Sequence, residues 1–306
     1  MKKILVATQK PFAPAAISRM KDVLDYTGDE MILLEKYASQ DDLIQAVKDV
    51  DALIVRSDKV TKDVLDNANN LKIVVRAGAG YDNVDLAAAT SKNIVVMNTP
   101  GQNSNAVAEL VLGMMIFQAR NGFNGTAGTE LKGKTLGIHA FGNVGNLVAK
   151  IAKGFGMEVL AYDPFVANET IEKNGVKAVD TLSELYQESQ YISLHIPANE
   201  HTIKSIDYNL LKQMPENAVL VNTARKEVID EAGLIKLMQD RPDFKYISDI
   251  APDSKADFET QFSDRFFFTP KKMGAQTAEA NINAGVAATK QIIDYFKNGN
   301  LVFKVN

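Results

Sequence analysis

Short runs of apolar, mostly β-branched residues recur along the chain, and between most of them apolar positions return at the three- and four-residue spacing of a one-sided helix. KILVAT, MILLE, ALIVRS, KIVVRA and NIVVMN make a first block; TLGIHA, EVLAYD, YISLHI, AVLVNT, YISDI and FFFTP make a second. Continuous apolar strands alternating with helices predict parallel sheets covered on both faces, because each crossover helix returns the chain to the same end of the sheet. The expected fold class is α/β, with two doubly wound parallel-sheet domains rather than one large sheet.

The first block is closed by Asn98-Thr99-Pro100-Gly101. The apolar stretch that follows, with Val107, Leu110, Val111, Met114, Met115 and Phe117, predicts a long helix ending near Gly122. This helix has more apolar surface than one sheet face is expected to cover. From Gly122 to Lys134 glycines stand at 122, 125, 128 and 133, which reads as a mobile connection or as a plain surface linker. A last helical pattern runs from about Thr277 to Phe296, and its periodicity does not decide which domain it joins.

A length of 306 residues suffices for two such domains. Lys and Arg number 34 against 38 Asp and Glu, so a formal charge of -4 offers no cationic excess for nucleic acid or an anionic membrane, and neither is an expected partner. The absence of cysteine excludes disulfides, thiolate metal sites and cysteine nucleophiles, and fits a reducing compartment. MKKILVATQK lacks the core of a signal peptide, and no stretch approaches the roughly 20 apolar residues of a membrane span. A cytoplasmic location is expected.

The sharpest local signal is Thr135 to Gly145, an apolar strand running directly into a helix, followed by Val159 to Asp163. Counted from Ala140 it reads A-x-G-x-x-G. Gly142 lacks a side chain where a pyrophosphate must approach, Gly145 allows close helix–strand packing, and Asn143 and Val144 open the helix whose free N–H groups favour phosphate. Asp163 ends the next strand, 18 residues after Gly145, placed to accept the ribose hydroxyls of NAD and to repel the extra phosphate of NADP. The other reading is a structural turn. His139, inside the strand, reads as a core residue. His195 and His201 are six residues apart with no third ligand, so no metal site is expected.

Val219 to Arg225 is an apolar strand ending in a cation, where ligands of such sheets bind; the alternative for Arg225 is a surface ion pair with Glu227 or Asp230. Arg56 and Arg76 end neighbouring strands, and Gly78 and Gly80 follow Arg76, which together suit an anion; ion pairs to Asp58 or Asp82 are the other reading.

The ordered set RAGAGYDNVD, NTPGQNSNAVAEL, LGIHAFGNVG with AYDP, SLHIP, NTARKEVIDE and TPKKMGAQTAEA resembles the D-isomer-specific 2-hydroxyacid dehydrogenase family over essentially the whole chain. Within that family it is most similar to the short D-3-phosphoglycerate dehydrogenases that lack a regulatory domain and carry lysine in place of the catalytic histidine. The resemblance implies a Rossmann-like NAD-binding domain (residues 101–280) inserted into a flavodoxin-like substrate-binding domain (1–100 with 281–306). It implies oxidation of D-3-phosphoglycerate to 3-phosphooxypyruvate, the entry to serine synthesis. A glyoxylate, hydroxypyruvate or other 2-oxoacid reductase, or a catalytically idle NAD-sensing protein, are the alternatives. It also implies a homodimer formed through the long helix, with the glycine-rich segment reaching across.

By the same resemblance, Arg225 holds the substrate carboxylate and polarises the C2 oxygen. His195, Pro197 and Thr202 face the adenosine half of NAD, Thr223 and Asp249 contact the cofactor, and Arg56, Ser57, Arg76, Gly78 and Ala79 contact substrate. Three departures stand out. Lys226 replaces a usual glycine, and the segment after Asp249 has no glutamate at the expected spacing, with Asp253 as a possible stand-in. The third lies in Thr269-Pro270-Lys271-Lys272-Met273-Gly274, which carries lysines where a histidine is expected. One residue is extra, so alignment from the left selects Lys271 and from the right Lys272. A lysine can exchange the hydroxyl proton when nearby cations favour its neutral form.

Overall fold

All strand pairs within the two sheets are parallel in the computed structural model, which describes residues 1–306. The first sheet contains β1 (Lys3–Thr8), β2 (Glu30–Glu35), β3 (Ala52–Val55), β4 (Ile73–Arg76) and β5 (Val95–Asn98), in the order β2-β1-β3-β4-β5. The second contains β6 (Thr135–His139), β7 (Glu158–Tyr162), β8 (Lys177–Ala178), β9 (Tyr191–Leu194), β10 (Val219–Asn222), β11 (Lys245–Ser248) and β12 (Phe266–Phe268), in the order β12-β11-β10-β9-β6-β7-β8. The α/β class with two doubly wound sheets is the one the hydrophobic pattern predicts. β8 has no counterpart in that prediction, because two residues are too few to show a period.

Two compact units divide the chain: Met1–Asn103 with Gln276–Asn306, and Ser104–Ala275. The final helix, Ala278–Asn298, is capped by Thr277, whose hydroxyl accepts the Ala280 N–H at 3.1 Å, so it opens three residues before the expected boundary at 281.

In the first unit, alternate strand residues build two cores. Leu5, Ala7, Leu53, Val55 and Val74 face one layer, while Ile4, Val6, Ile54, Ile73 and Val75 pack with Met20 and with Ala284, Ala288 and Ile292 of the final helix. Gly285 sets that contact, since a Cβ there would lie 2.7 Å from Met20 Sδ. The last residues return to the β5 edge, where the Val305 N–H donates to the Val96 carbonyl at 2.9 Å. The order 2-1-3-4-5 is the flavodoxin-like one, and its reversal point lies between β1 and β3.

In the second unit, strand order reverses between β6 and β9, with the first three strands in the Rossmann sense on one side. The helix Ser104–Ala119 buries Ala108, Val111, Leu112, Met114 and Met115 against one sheet face, and half-buries Val107, Leu110, Ile116 and Phe117. Its apolar surplus is therefore smaller than its sequence indicates: the Phe117 ring packs on Phe267 and Phe123, at 4.7 and 5.5 Å between centroids. The glycine-rich segment holds one short 3-10 turn, Asn121–Phe123, and folds back where the Thr129 N–H donates to the Ala119 carbonyl at 2.7 Å.

Candidate active site

At the reversal point of the second sheet, β6 ends in His139 and the chain turns through Ala140, whose φ of 79° is the left-handed conformation that favours glycine. The next helix, Asn143–Gly154, begins at Gly142 with no side-chain cap, so the first-turn N–H groups of Asn143, Val144 and Gly145 have no side-chain acceptor. No heavy atom lies within 4 Å of where a Gly142 Cβ would stand, whereas a Gly145 Cβ would meet the Ala140 carbonyl oxygen at 2.3 Å and Ile138 Cγ2 at 2.8 Å. One glycine keeps a space open and the other lets helix and strand touch. Asp163, just past β7, accepts the Phe141 N–H on Oδ2 and the Phe165 N–H on Oδ1, both at 2.8 Å. Its carboxylate thus fixes the turn while remaining half-exposed beside it.

His139 is buried, with Nδ1 3.2 Å from the Tyr186 hydroxyl, and burial pushes it down to about 4. The neighbouring strand end carries His195, whose N–H donates to the His139 carbonyl at 2.9 Å and whose Nε2 lies 2.9 Å from Ser193 Oγ. Burial, reinforced by His139, pushes His195 down to about 3. Both rings are neutral near pH 7. Beyond them the Thr202 hydroxyl donates to the Pro197 carbonyl at 2.6 Å and accepts the Asn199 N–H at 2.9 Å, which ties Pro197 and Thr202 into one turn.

After β10, buried Asn222 organises the loop that carries Arg225: its Oδ1 accepts the Ala224 N–H and its Nδ2 donates to the Arg225 carbonyl, each at 2.9 Å. Sequence reasoning quoted this asparagine without giving it a role; its place at a strand end just before a cation is the signal. Arg225 is half-buried, and its Nη1 donates to the Ala224 carbonyl at 3.0 Å. The Thr223 hydroxyl is buried without a hydrogen-bond partner.

Lys271 and Lys272 occupy an exposed loop between β12 and the final helix. Asp249, which the resemblance places at the cofactor, is 1 % exposed and turns its carboxylate toward this loop. Oδ1 accepts the Met273 N–H at 2.7 Å and Oδ2 the Gly274 N–H at 2.8 Å. Asp253 pairs with Lys226, the residue in the usual glycine position, and is held in place as Glu231 accepts its N–H at 3.0 Å. That partner raises the Lys226 pKa.

In the first unit, Arg56 follows β3 at the β1/β3 reversal point. Its Nη1 donates to the Lys10 and Pro11 carbonyls at 3.1 Å, and its guanidinium lies 5.1 Å from the Phe12 ring centroid. Burial lowers its pKa, opposed by the Asp58 charge. Asp58 itself accepts the Gln9 N–H and the Tyr37 hydroxyl, at 2.6 and 2.8 Å. Arg76 Nε donates to the Arg56 carbonyl at 2.8 Å, which brings the two arginines together. Gly78 has φ 150°, and a Cβ there would fall 1.6 Å from Arg76 Nη1, so only glycine lets this guanidinium fold over the turn. Ser57 and Ala79 lie exposed beside these arginines in sequence.

The family described as D-isomer specific 2-hydroxyacid dehydrogenase, NAD binding domain, matches residues 106–270, more than half of the chain. The chain belongs to the D-isomer-specific 2-hydroxyacid dehydrogenase family. Among relatives of this family, a D-3-phosphoglycerate dehydrogenase of Methanocaldococcus jannaschii is 38% identical over 269 residues, covering 83% of this chain and 51% of that protein. A hydroxypyruvate reductase of Thermotoga maritima is 36% identical over 282 residues, covering 86% of this chain and 90% of that protein. Among solved structures, NAD+-bound 3-phosphoglycerate dehydrogenase of Entamoeba histolytica is 50% identical with a TM-score of 0.91, covering 100% of this chain and 98% of that one. The chain spans about half the length of the curated D-3-phosphoglycerate dehydrogenases it matches.

The residues present fit the family's NAD. Open space at Gly142, an uncapped helix start and the partnerless Thr223 hydroxyl are all features that a bound dinucleotide satisfies.

Proposed function

We propose that this chain is an NAD-dependent oxidoreductase that converts D-3-phosphoglycerate to 3-phosphooxypyruvate, a cytoplasmic entry step of serine biosynthesis. The observation that carries the reading is 50% identity to the Entamoeba histolytica 3-phosphoglycerate dehydrogenase over 98% of that chain. NAD, when bound, supplies the acceptor for the hydride leaving C2. Ala140, Gly142, Asn143, Val144 and Gly145 hold its pyrophosphate, Asp163 its ribose, His195, Pro197 and Thr202 the adenosine half, and Thr223 and Asp249 make further polar contacts.

Arg225 pairs with the substrate carboxylate and draws electron density toward the C2 oxygen, tasks suited to a rigid fork of permanently charged donors. Lys271 or Lys272 takes the hydroxyl proton. Arg56, Ser57, Arg76, Gly78 and Ala79 hold the anionic ends of the substrate, which gives residues 1–100 with 281–306 a substrate-binding role and residues 101–280 an NAD-binding one.

Steady-state NADH formation with D-3-phosphoglycerate and with D-glycerate tests the reading: kcat/KM at least tenfold higher for the phosphorylated acid is expected. A second reading, reduction of hydroxypyruvate, draws on the Thermotoga maritima relative, whose length this chain nearly matches. A preference for hydroxypyruvate with NADH, and no gain from a terminal phosphate, would replace the first reading with the second. NAD binding without turnover on any of these acids would leave a binding protein. The protein works as a homodimer in this reading, joined along the helix Ser104–Ala119, where Leu110, Ile116 and Phe117 stay half-buried and Phe123 is 65% exposed. Sedimentation of a monomer at micromolar concentration refutes that part.

A further inference from the structure

Asp58, 5 % exposed, joins three strand ends of the first unit. It stands shortly after β3, and its Oδ1 accepts both the Gln9 N–H, from the loop after β1, at 2.6 Å and the Tyr37 hydroxyl, from the turn after β2, at 2.8 Å. Burial first, and then the bond to Asp58, raises the Tyr37 pKa, so this hydroxyl remains a donor. The residues that follow Gln9 are the ones on which Arg56 rests: its Nη1 donates to the Lys10 and Pro11 carbonyls at 3.1 Å, and its guanidinium lies over the buried Phe12 ring. The Lys10 carbonyl also accepts the hydroxyl of Thr8, the last residue of β1, at 2.6 Å. No hydrogen bond or ion pair joins Asp58 to the Arg56 guanidinium directly; the bonds between them run through the loop. Only Nη1 of that guanidinium is engaged, which leaves Nε and Nη2, an edge able to pair with two oxygens of one anion.

We infer that Asp58 is a positioning residue for the phosphate end of the substrate: by holding Gln9 and Tyr37 it fixes the Gln9–Phe12 loop, and that loop fixes Arg56 with its Nε and Nη2 edge free for two phosphate oxygens. An arginine side chain has many rotamers, and a two-point contact uses one of them. Two carbonyls under Nη1 and a ring against the guanidinium plane remove the others before substrate arrives, so less ordering is left for binding to accomplish. One oxygen of Asp58 takes both hydrogen bonds, so the position requires an acceptor at Oδ1, which the amide of asparagine also supplies. The inference rests on the reading of D-3-phosphoglycerate as substrate and of Arg56 as one of its contacts.

The test measures kcat and KM for D-3-phosphoglycerate and for D-glycerate, with the NADH dissociation constant by fluorescence, in wild type, Asp58→Ala, Asp58→Asn, Arg56→Ala and the Arg56→Ala, Asp58→Ala double variant. Asp58→Ala is expected to lower kcat/KM for D-3-phosphoglycerate about tenfold, chiefly through KM, while kcat/KM for D-glycerate and the NADH dissociation constant stay within about twofold. Asp58→Asn is expected to recover the phosphorylated acid to within about threefold of wild type, and in the Arg56→Ala background Asp58→Ala is expected to cost nothing further. Equal losses on the two acids, a weakened NADH affinity, failure of asparagine to rescue, or additive losses in the double variant each overturn the inference, since a purely structural role acts on both acids alike. If Arg56→Ala keeps the wild-type preference for the phosphorylated acid, the substrate reading has failed and the inference with it; if Arg56→Ala abolishes that preference and Asp58→Ala preserves it, the inference alone is overturned. Should Asp58→Ala not fold, Thr8→Val keeps the shape of the strand end and removes the hydroxyl from the Lys10 carbonyl. A rise of at least about twofold in KM for D-3-phosphoglycerate, with none for D-glycerate, is then expected, and a wild-type KM refutes the inference.

Discussion

Gly142 and Gly145 stand three residues apart in one turn, and the structure assigns them opposite consequences when a side chain is added. At Gly145 a Cβ would lie 2.3 Å from the Ala140 carbonyl oxygen and 2.8 Å from Ile138 Cγ2, where ordinary contacts run about 3.5–4.0 Å. The helix Asn143–Gly154 must retreat from β6 by about 1 Å or the strand must deform, so Gly145→Val, which adds two further methyl groups, is expected to destabilise the chain by on the order of 3 kcal/mol. At Gly142 the new Cβ meets nothing within 4 Å, and a φ of -78° accepts any residue. Gly142→Ala therefore costs at most about 1 kcal/mol, the scale of a poorer N-cap. On the proposed reading its methyl group nonetheless fills the space the pyrophosphate enters, and loss of one charge-assisted hydrogen bond, about 1.5–3 kcal/mol, is expected to weaken NADH binding roughly ten- to hundredfold. Urea unfolding followed by circular dichroism reads the first quantity and NADH fluorescence titration the second. Gly142→Ala binding NADH as wild type does would refute the placement of the phosphates at this turn.

Two further outcomes are expected. NAD should be preferred over NADP, and Asp163→Ala should narrow the gap, chiefly by weakening NAD, since the carboxylate braces the Phe141 and Phe165 amides and, on the proposed reading, accepts the ribose hydroxyls; kcat/KM for both cofactors measures this, and an NADP-preferring wild type contradicts it. Folded His139 stays neutral down to about 4, while the unfolded chain takes up its proton near 6.5, so stability falls as pH drops from 6.5 toward 4, by roughly 2 kcal/mol at pH 5. His195 adds to the loss in the same direction. Urea midpoints at pH 7 and pH 5 should therefore differ less in His139→Phe than in wild type, and an equal difference in both removes the histidine from the account.

What the sequence made legible is governed by periodicity and by short local motifs. Strands such as Ala52–Val55 and Val219–Asn222 are buried along their whole length and so appear as unbroken apolar runs, and the turn at Ala140 to Gly145 is local enough to be read letter by letter. β8, with two residues, leaves no period. The pairing of Lys226 with Asp253 joins loops 27 residues apart, and the grip of Asp249 on Met273 and Gly274 spans a similar distance; neither has a signature in residue spacing. The partial self-covering of the helix Ser104–Ala119 depends on Phe267, a residue far along the chain whose approach only the tertiary fold determines.

On the proposed reading a lysine of the Thr269–Gly274 loop, and not a histidine, exchanges the proton of the C2 hydroxyl. The direct measurement is turnover of D-3-phosphoglycerate by Lys271→Ala and Lys272→Ala, with NADH affinity measured on the same samples and methylamine added as an external base. One of the two is expected to lose at least about a hundredfold in kcat, the scale of general acid–base catalysis, with NADH affinity unchanged and part of the rate restored by the amine. Lys271 is the favoured candidate, because its carbonyl oxygen lies 2.8 Å from the buried Thr269 hydroxyl and its backbone is fixed there. Near-normal turnover in both variants would contradict the claim and send the proton elsewhere.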